Sequence, residues 1–162
     1  MTLHVATVAG QPIPIGTLDE RIARMRAGPR GRHIPPTGAP GYAEMCRWVV
    51  RELVSEAIIA RELDDRGLRS VSELVLDVTE DVVVDEAGIR AYYERNPDLY
   101  RQGGTVIPFE DAHASIEAEL LAAARVRAFD LWLDERRRQL AVVEPGYEHP
   151  ADPRSGFPSH RH

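Results

Sequence analysis

Apolar and polar positions alternate from the start of the chain. Residues 3–8, LHVATV, are β-branched at every second position and read as a strand. Ala9-Gly10-Gln11-Pro12 forms a turn, and Ile13-Pro14-Ile15 makes a short second extended piece. Pro14 has no N–H for a ladder, so that piece belongs at an edge or a bulge. The period then changes from two to about 3.6. Thr17 and Glu20 have capping-box spacing, and a helix follows to about Ala27 with Leu18, Ile22 and Met25 on one face. Residues 28–41 hold four prolines and four glycines, a density that no regular element survives, and read as a loop or lid.

The strongest helical pattern is 42–67. Met45, Val49, Leu53, Ala57 and Ala60 make a stripe that Trp48, Val50, Val54, Ile58, Ile59 and Leu63 widen over most of the circumference. Such a helix is expected at the centre of a fold, ended by Gly67. Val71, Leu74, Val75 and Val78 repeat at helical spacing behind a Ser70/Glu73 capping box. Val82–Val84 favours extended structure. Asp85 then caps a helix to about Arg95, which Asn96-Pro97 stops. After Gly103-Gly104 a long helix is expected from Phe109 to Leu140, with Glu135-Arg136-Arg137-Arg138 suiting its dipole, and Ala141–Val143 reads as a returning strand. The predicted fold is mainly α: four or five helices around 42–67, and a small sheet joining the N-terminal hairpin to 141–143. The predicted organisation is a helical domain over 1–143 and a tail over 144–162 packed on it.

These segments, in this order, resemble a known family. VATVAGQPIP, RWVVRELVSEAIIARELDDRGL, DEAGIRAYYERNPDLYR and FEDAHASIEAELLAAARVRAFDLWLDERRRQLAVV are similar to the N-terminal helical domain of SurA/PrsA-type chaperones. The resemblance runs from about Leu3 to Val143. It implies a helical chaperone domain that holds an extended apolar peptide. Members of that family carry a parvulin prolyl-isomerase domain before the long helix; here eight residues separate Tyr100 from Phe109, so no isomerase residues carry over.

Composition narrows the function classes. The chain has 162 residues, 43% hydrophobic and 28% charged, with a net charge of −6. That balance argues against a nucleic-acid partner. No apolar run reaches the ~20 residues of a membrane span. No basic stretch leads into an apolar core at the N-terminus, so a cytoplasmic location is expected. All 20 basic residues are arginine, which removes lysine-based Schiff-base and phosphate-loop chemistry. Cys46 is the single cysteine, read as inert packing. Gly-rich phosphate loops, CxxC pairs, HExxH and G-x-S-x-G are absent, so no nucleotide cofactor is expected.

Three of the six histidines lie in the last fourteen residues. His149, Asp152, His160 and His162 are the candidate ligands for a divalent metal: zinc, iron or manganese. Residues two apart in extended chain share a side, so His160 and His162 suit one ion, with His149 and Asp152 returning from a proline-rich turn. A bound ion would polarise a carbonyl or enol, or acidify water. His113, which has Glu117 one helical turn away, and Tyr93 are the candidate proton carriers. Tyr92, His33 and His4 are weaker candidates; His4 gains interest because strand 141–143 brings the tail beside the first strand. The expected function is a small metal-dependent enzyme of lyase, cyclase or isomerase type, acting on a small organic molecule such as one of specialised metabolism, on a SurA-like scaffold. A peptide-binding module without isomerase activity is the alternative.

Overall fold

The computed structural model describes residues 3–151. The fold is mainly α, with five α-helices among the described residues and a small sheet that includes both the N-terminal and the C-terminal strand. The chain forms two compact units: Arg69–Trp132, and the chain on either side of it.

In the first unit, β1 (His4–Val8) and β2 (Gln11–Pro14) make an antiparallel hairpin, and β5 (Ala141–Val143) pairs antiparallel with the other edge of β1, giving the order β2-β1-β5. Ala6 faces Val143 and Val8 faces Ala141. Pro14 lies on the outer strand, where a missing donor breaks no ladder. Helix α1 (Ile15–Ala27) starts two residues before the Thr17 expected to cap it. The hairpin explains this: β2 runs straight into the helix, and the Ile15 N–H donates to the Leu3 carbonyl (3.1 Å), so no side-chain cap is used.

Helix α2 (Tyr42–Arg66) buries Cys46, Val49, Val50, Leu53, Val54 and Ile58. It packs on β1 and α1. Its apolar stripe is narrower than the sequence implies, because Trp48 is 50% exposed. Leu68 N–H reaches the Leu63 carbonyl (2.9 Å) over Gly67 at φ 68°, a left-handed C-terminal cap.

Two polar residues sit in the buried face of α2. Glu62 is 2% exposed and accepts from Arg66 Nε (3.0 Å) and Arg136 Nε (2.7 Å). Ser55 accepts from Arg137 Nε (3.0 Å) and Nη2 (2.7 Å). Arg136 and Arg137, in the last turns of α5 (Phe109–Leu140), therefore do more than complement a helix dipole.

In the second unit, α3 (Val71–Val78) carries the expected cap, with Glu73 N–H donating to Ser70 Oγ (3.2 Å). Helix α4 (Glu86–Arg95) has its cap too, Gly88 N–H to Asp85 Oδ1 (2.7 Å). Val82–Val84 joins no ladder among the described residues. β3 (Arg101–Gln102) and β4 (Thr105–Val106) form a two-residue hairpin. The core is Ile89, Ala112 and Ile116, surrounded by Val84, Tyr92, Tyr93, Tyr100, Ile107, Phe109 and Leu120. No helix among the described residues is long and apolar enough to cross a membrane.

Candidate functional site

Each unit carries one histidine on the wall of a cleft. In the first unit, Val50, Arg51 and Val54 contribute from α2, spaced to share a face, and Arg137 from the end of α5. Ala141 and Val143, two apart on β5, supply an apolar strip. Tyr147 and His149 complete the wall. The enclosed space is about 20 Å³, room for one water.

The segment after β5 is held at several points. His4 Nε2 lies 2.9 Å from Glu144 Oε1, so the first strand and the start of the tail are joined as their adjacency implied. Tyr147 N–H donates to the Glu144 carbonyl (3.1 Å), closing a turn through Gly146 at φ 95°, a backbone conformation that disfavours a side chain. Glu148 Oε2 accepts from Gly146 N–H (2.7 Å), and Arg47 Nε donates to the Gly146 carbonyl (3.3 Å). Ala151 N–H donates to His149 Nδ1 (3.1 Å), which assigns the proton of the neutral ring to Nε2.

Among the described residues two guanidiniums line the cleft, with the Asp134 and Glu52 carboxylates beside them. Asp134 accepts from both, from Arg51 Nη2 at 3.0 Å and from Arg137 Nη1. Burial, and then the nearby Arg51 charge, hold Arg137 below the usual guanidinium range despite Asp134 and Glu52. Burial pushes the Tyr147 phenol up, with Cys46, Asp19 and Tyr42 adding to it, so Tyr147 stays a neutral hydroxyl at ordinary pH. Cys46 is buried and its thiol pKa is raised, chiefly by that burial, which suits packing and not nucleophilic attack.

In the second unit, His113 Nε2 lies 2.7 Å from Glu86 Oε2, and Nδ1 lies 4.0 Å from Glu117 Oε2. The i,i+4 partner expected from the sequence is the weaker of the two. Glu86, Arg90, Phe109, Glu110, His113 and Ala114 line an open cleft of about 410 Å³. Arg90 lies over the Phe109 ring (4.1 Å), and the edge of His113 meets the same ring (5.4 Å). Tyr93 touches Phe109 from the core side (5.4 Å) but does not line the cleft; its hydroxyl donates to the Ile107 carbonyl (2.6 Å). Tyr92 donates to Glu119 Oε1 (3.2 Å) in a separate groove. His33 is exposed and accepts from Arg32 Nε (3.1 Å).

His113 and Tyr93 are thus brought together through Phe109. Of the proposed metal ligands, His149 lies in the first-unit cleft, while Asp152, His160 and His162 lie outside the described residues. Among the described residues, no group of three or more His, Cys, Asp or Glu side chains is arranged to hold a metal. Sequence reasoning missed Arg51, Arg137 and Asp134. The available signal was the Arg51-Glu52 pair, two charges set between the apolar residues of 49–54.

Residues 4–40, which are β1, β2, α1 and the Pro/Gly loop, match a family of unknown function (DUF7158). No curated protein and no solved structure matches the chain.

Proposed function

We propose that the chain is a small cytoplasmic enzyme of lyase, cyclase or isomerase type, and that its proton-transfer site is the first-unit cleft at His149. The observation that carries this reading is an enclosed, apolar-floored cleft whose wall joins an imidazole, a neutral phenol and two guanidiniums. With Nδ1 accepting from Ala151, the neutral ring presents Nε2–H as a hydrogen-bond donor. To take a proton from a C–H acid, Nδ1 must exchange its Ala151 contact for the substrate, so that the ring cycles between neutral imidazole and imidazolium. Tyr147 supplies a hydroxyl donor to a developing oxyanion. The space admits one water in this structure, so a substrate reaches His149 only at the mouth of the cleft.

The guanidiniums repel a divalent cation at this wall. Zinc, iron or manganese on His149, Asp152, His160 and His162 is therefore the competing occupancy, and elemental analysis of untagged protein decides it: close to one metal per chain favours the ion, none favours a metal-free acid–base site.

The experiment is deuterium exchange in D2O, followed by NMR, on a panel of small molecules with an acidic C–H beside a carbonyl. Intact protein is expected to label at least one of them, and His149→Gln to lose about a hundredfold or more in rate. Equal rates would remove His149 from the chemistry. A second reading places the base at His113, favoured by its 2.7 Å contact with Glu86 on a roomier cleft. It predicts that His113→Gln, not His149→Gln, abolishes exchange. If a chain ending at Glu144 suppresses client aggregation as well as the intact one, and no exchange is found, the SurA-like peptide-holding role replaces both.

A further inference from the structure

We infer that the chain associates with itself head to tail, the arginine-rich surface of one copy docking on the acidic surface of a second. The two poles are segregated along the sequence. Residues 21–43 hold five arginines and no Asp or Glu, whereas residues 70–89 hold six Asp or Glu and no arginine. The first stretch lies in the first compact unit and the second in the other. On the basic side, Arg24, Arg30, Arg32 and His33 are exposed. The Pro/Gly segment that carries the last three is pinned at several points. Gly31 N–H donates to the Gly28 carbonyl (3.0 Å), His33 N–H to the Arg30 carbonyl (2.9 Å), and Arg26 Nη2 to the Pro35 carbonyl (3.0 Å). A Cβ on Gly31 would lie 1.8 Å from the Arg26 carbonyl oxygen, so the segment seats directly on the end of α1. Its guanidiniums are offered from a fixed backbone, which lowers the ordering cost of docking. On the acidic side, Glu80 and Asp81 follow α3 and are exposed, and so are Leu76 and Val83 on either side of them in the chain. Among the described residues, the side chains of Arg24, Arg30, Glu80 and Asp81 make no hydrogen bond or ion pair, so each pole keeps charge for another molecule. The chain supplies both poles at nearly equal strength, five charges against six. Unlike poles attract and like poles repel, which sets the head-to-tail sense. Such a contact leaves one pole open at each end, so copies add until a ring closes.

The test is sedimentation velocity on the intact chain over a range of protein concentrations, at about 0.05 M and about 0.5 M sodium chloride. At low salt the average mass is expected to rise with concentration above that of one chain. High salt should weaken self-association at least about tenfold. The triple variant Arg24→Gln, Arg30→Gln, Arg32→Gln blanks the basic pole, and the double variant Glu80→Gln, Asp81→Asn blunts the acidic one. Each alone is expected to associate at least about tenfold more weakly than the parent at low salt. Mixed in equal amounts, they should form complexes of two chains and none larger, because each lends its one intact pole. A misfolded variant could not restore association in the mixture, so this arm separates lost charge from lost fold. Association that ignores salt, variants that assemble like the parent, or a mixture that stays as single chains overturns the inference. So does an intact chain that stays single at low salt; if that chain binds polyglutamate, the basic pole serves a foreign acidic partner instead.

Discussion

Two histidines stand on the walls of two clefts, and what surrounds each ring differs in enclosure. His149 shares a water-sized space with Arg51 and Arg137. His113 stands in an open cleft with Glu86, Arg90 and Glu110, and Glu117 nearby. Arginines draw an anion in and hold it where the dielectric is low. Carboxylates at an open rim draw cations, and water screens them. The same imidazole thus stands in a small enclosed space in one unit and in an open, solvent-screened cleft in the other. A contact of good length at an open rim, such as His113–Glu86, is by itself a weaker sign of function than polar groups gathered in an enclosed space.

Activity separates the two histidines most directly. His149→Gln is expected to lose about a hundredfold or more in proton exchange, and His113→Gln to stay within about threefold, by the deuterium assay. The reverse pattern would move the site to the second unit.

Stability sharpens the contrast next. Glu62 is buried, and burial alone would raise its pKa; the hydrogen bonds from Arg136 and Arg66 outweigh that and hold the carboxyl below the usual range. A depressed carboxylate stabilises the fold above its unfolded pKa, and that contribution is lost as pH falls through the lower folded value. Glu62→Gln is expected to cost about 2 kcal/mol at pH 7, because it strands two arginines against a neutral amide. Urea unfolding at pH 7 and under acid conditions checks this: the variant should lose less stability on acidification than the parent.

The remaining effects are smaller. Glu86→Gln, which breaks the exposed pair with His113, should cost less than about 1 kcal/mol and less still in high salt, read by urea unfolding at two ionic strengths. Arg21→Ala removes a two-pronged contact to Glu56 (2.9 and 2.6 Å) on the surface of the first unit. About 0.5 kcal/mol is expected from the same measurement. A loss of several kcal/mol at either surface pair would undo the distinction between the enclosed and the open site.

Much of the fold was legible because its signals are local. The Ser70 and Asp85 caps, the Gly67 stop and the span Phe109–Leu140 each depend on residues within one or two turns. Where local rules failed, a neighbour distant in sequence had intervened. Thr17 looked like a cap until Leu3 supplied the acceptor for Ile15. Trp48 looked buried by its spacing, yet spacing does not say how wide the covering layer is. The site was less legible than the fold. His149 and the tail's approach to the first strand were anticipated; Arg51, Arg137 and Asp134 were not. A charged residue in an apolar run announces only that a partner exists, and 83 residues separate Arg51 from the Asp134 that accepts from it.

The sequence alone determined the order and kind of the elements, because periodicity, caps and breakers act over a few residues. Tertiary structure decided which charges meet. It set Glu62 between Arg66 and Arg136, and brought Arg51, Arg137 and His149 to one wall. The electrostatics of a site depend on through-space distance and burial, and neither is a property of neighbouring positions along the chain.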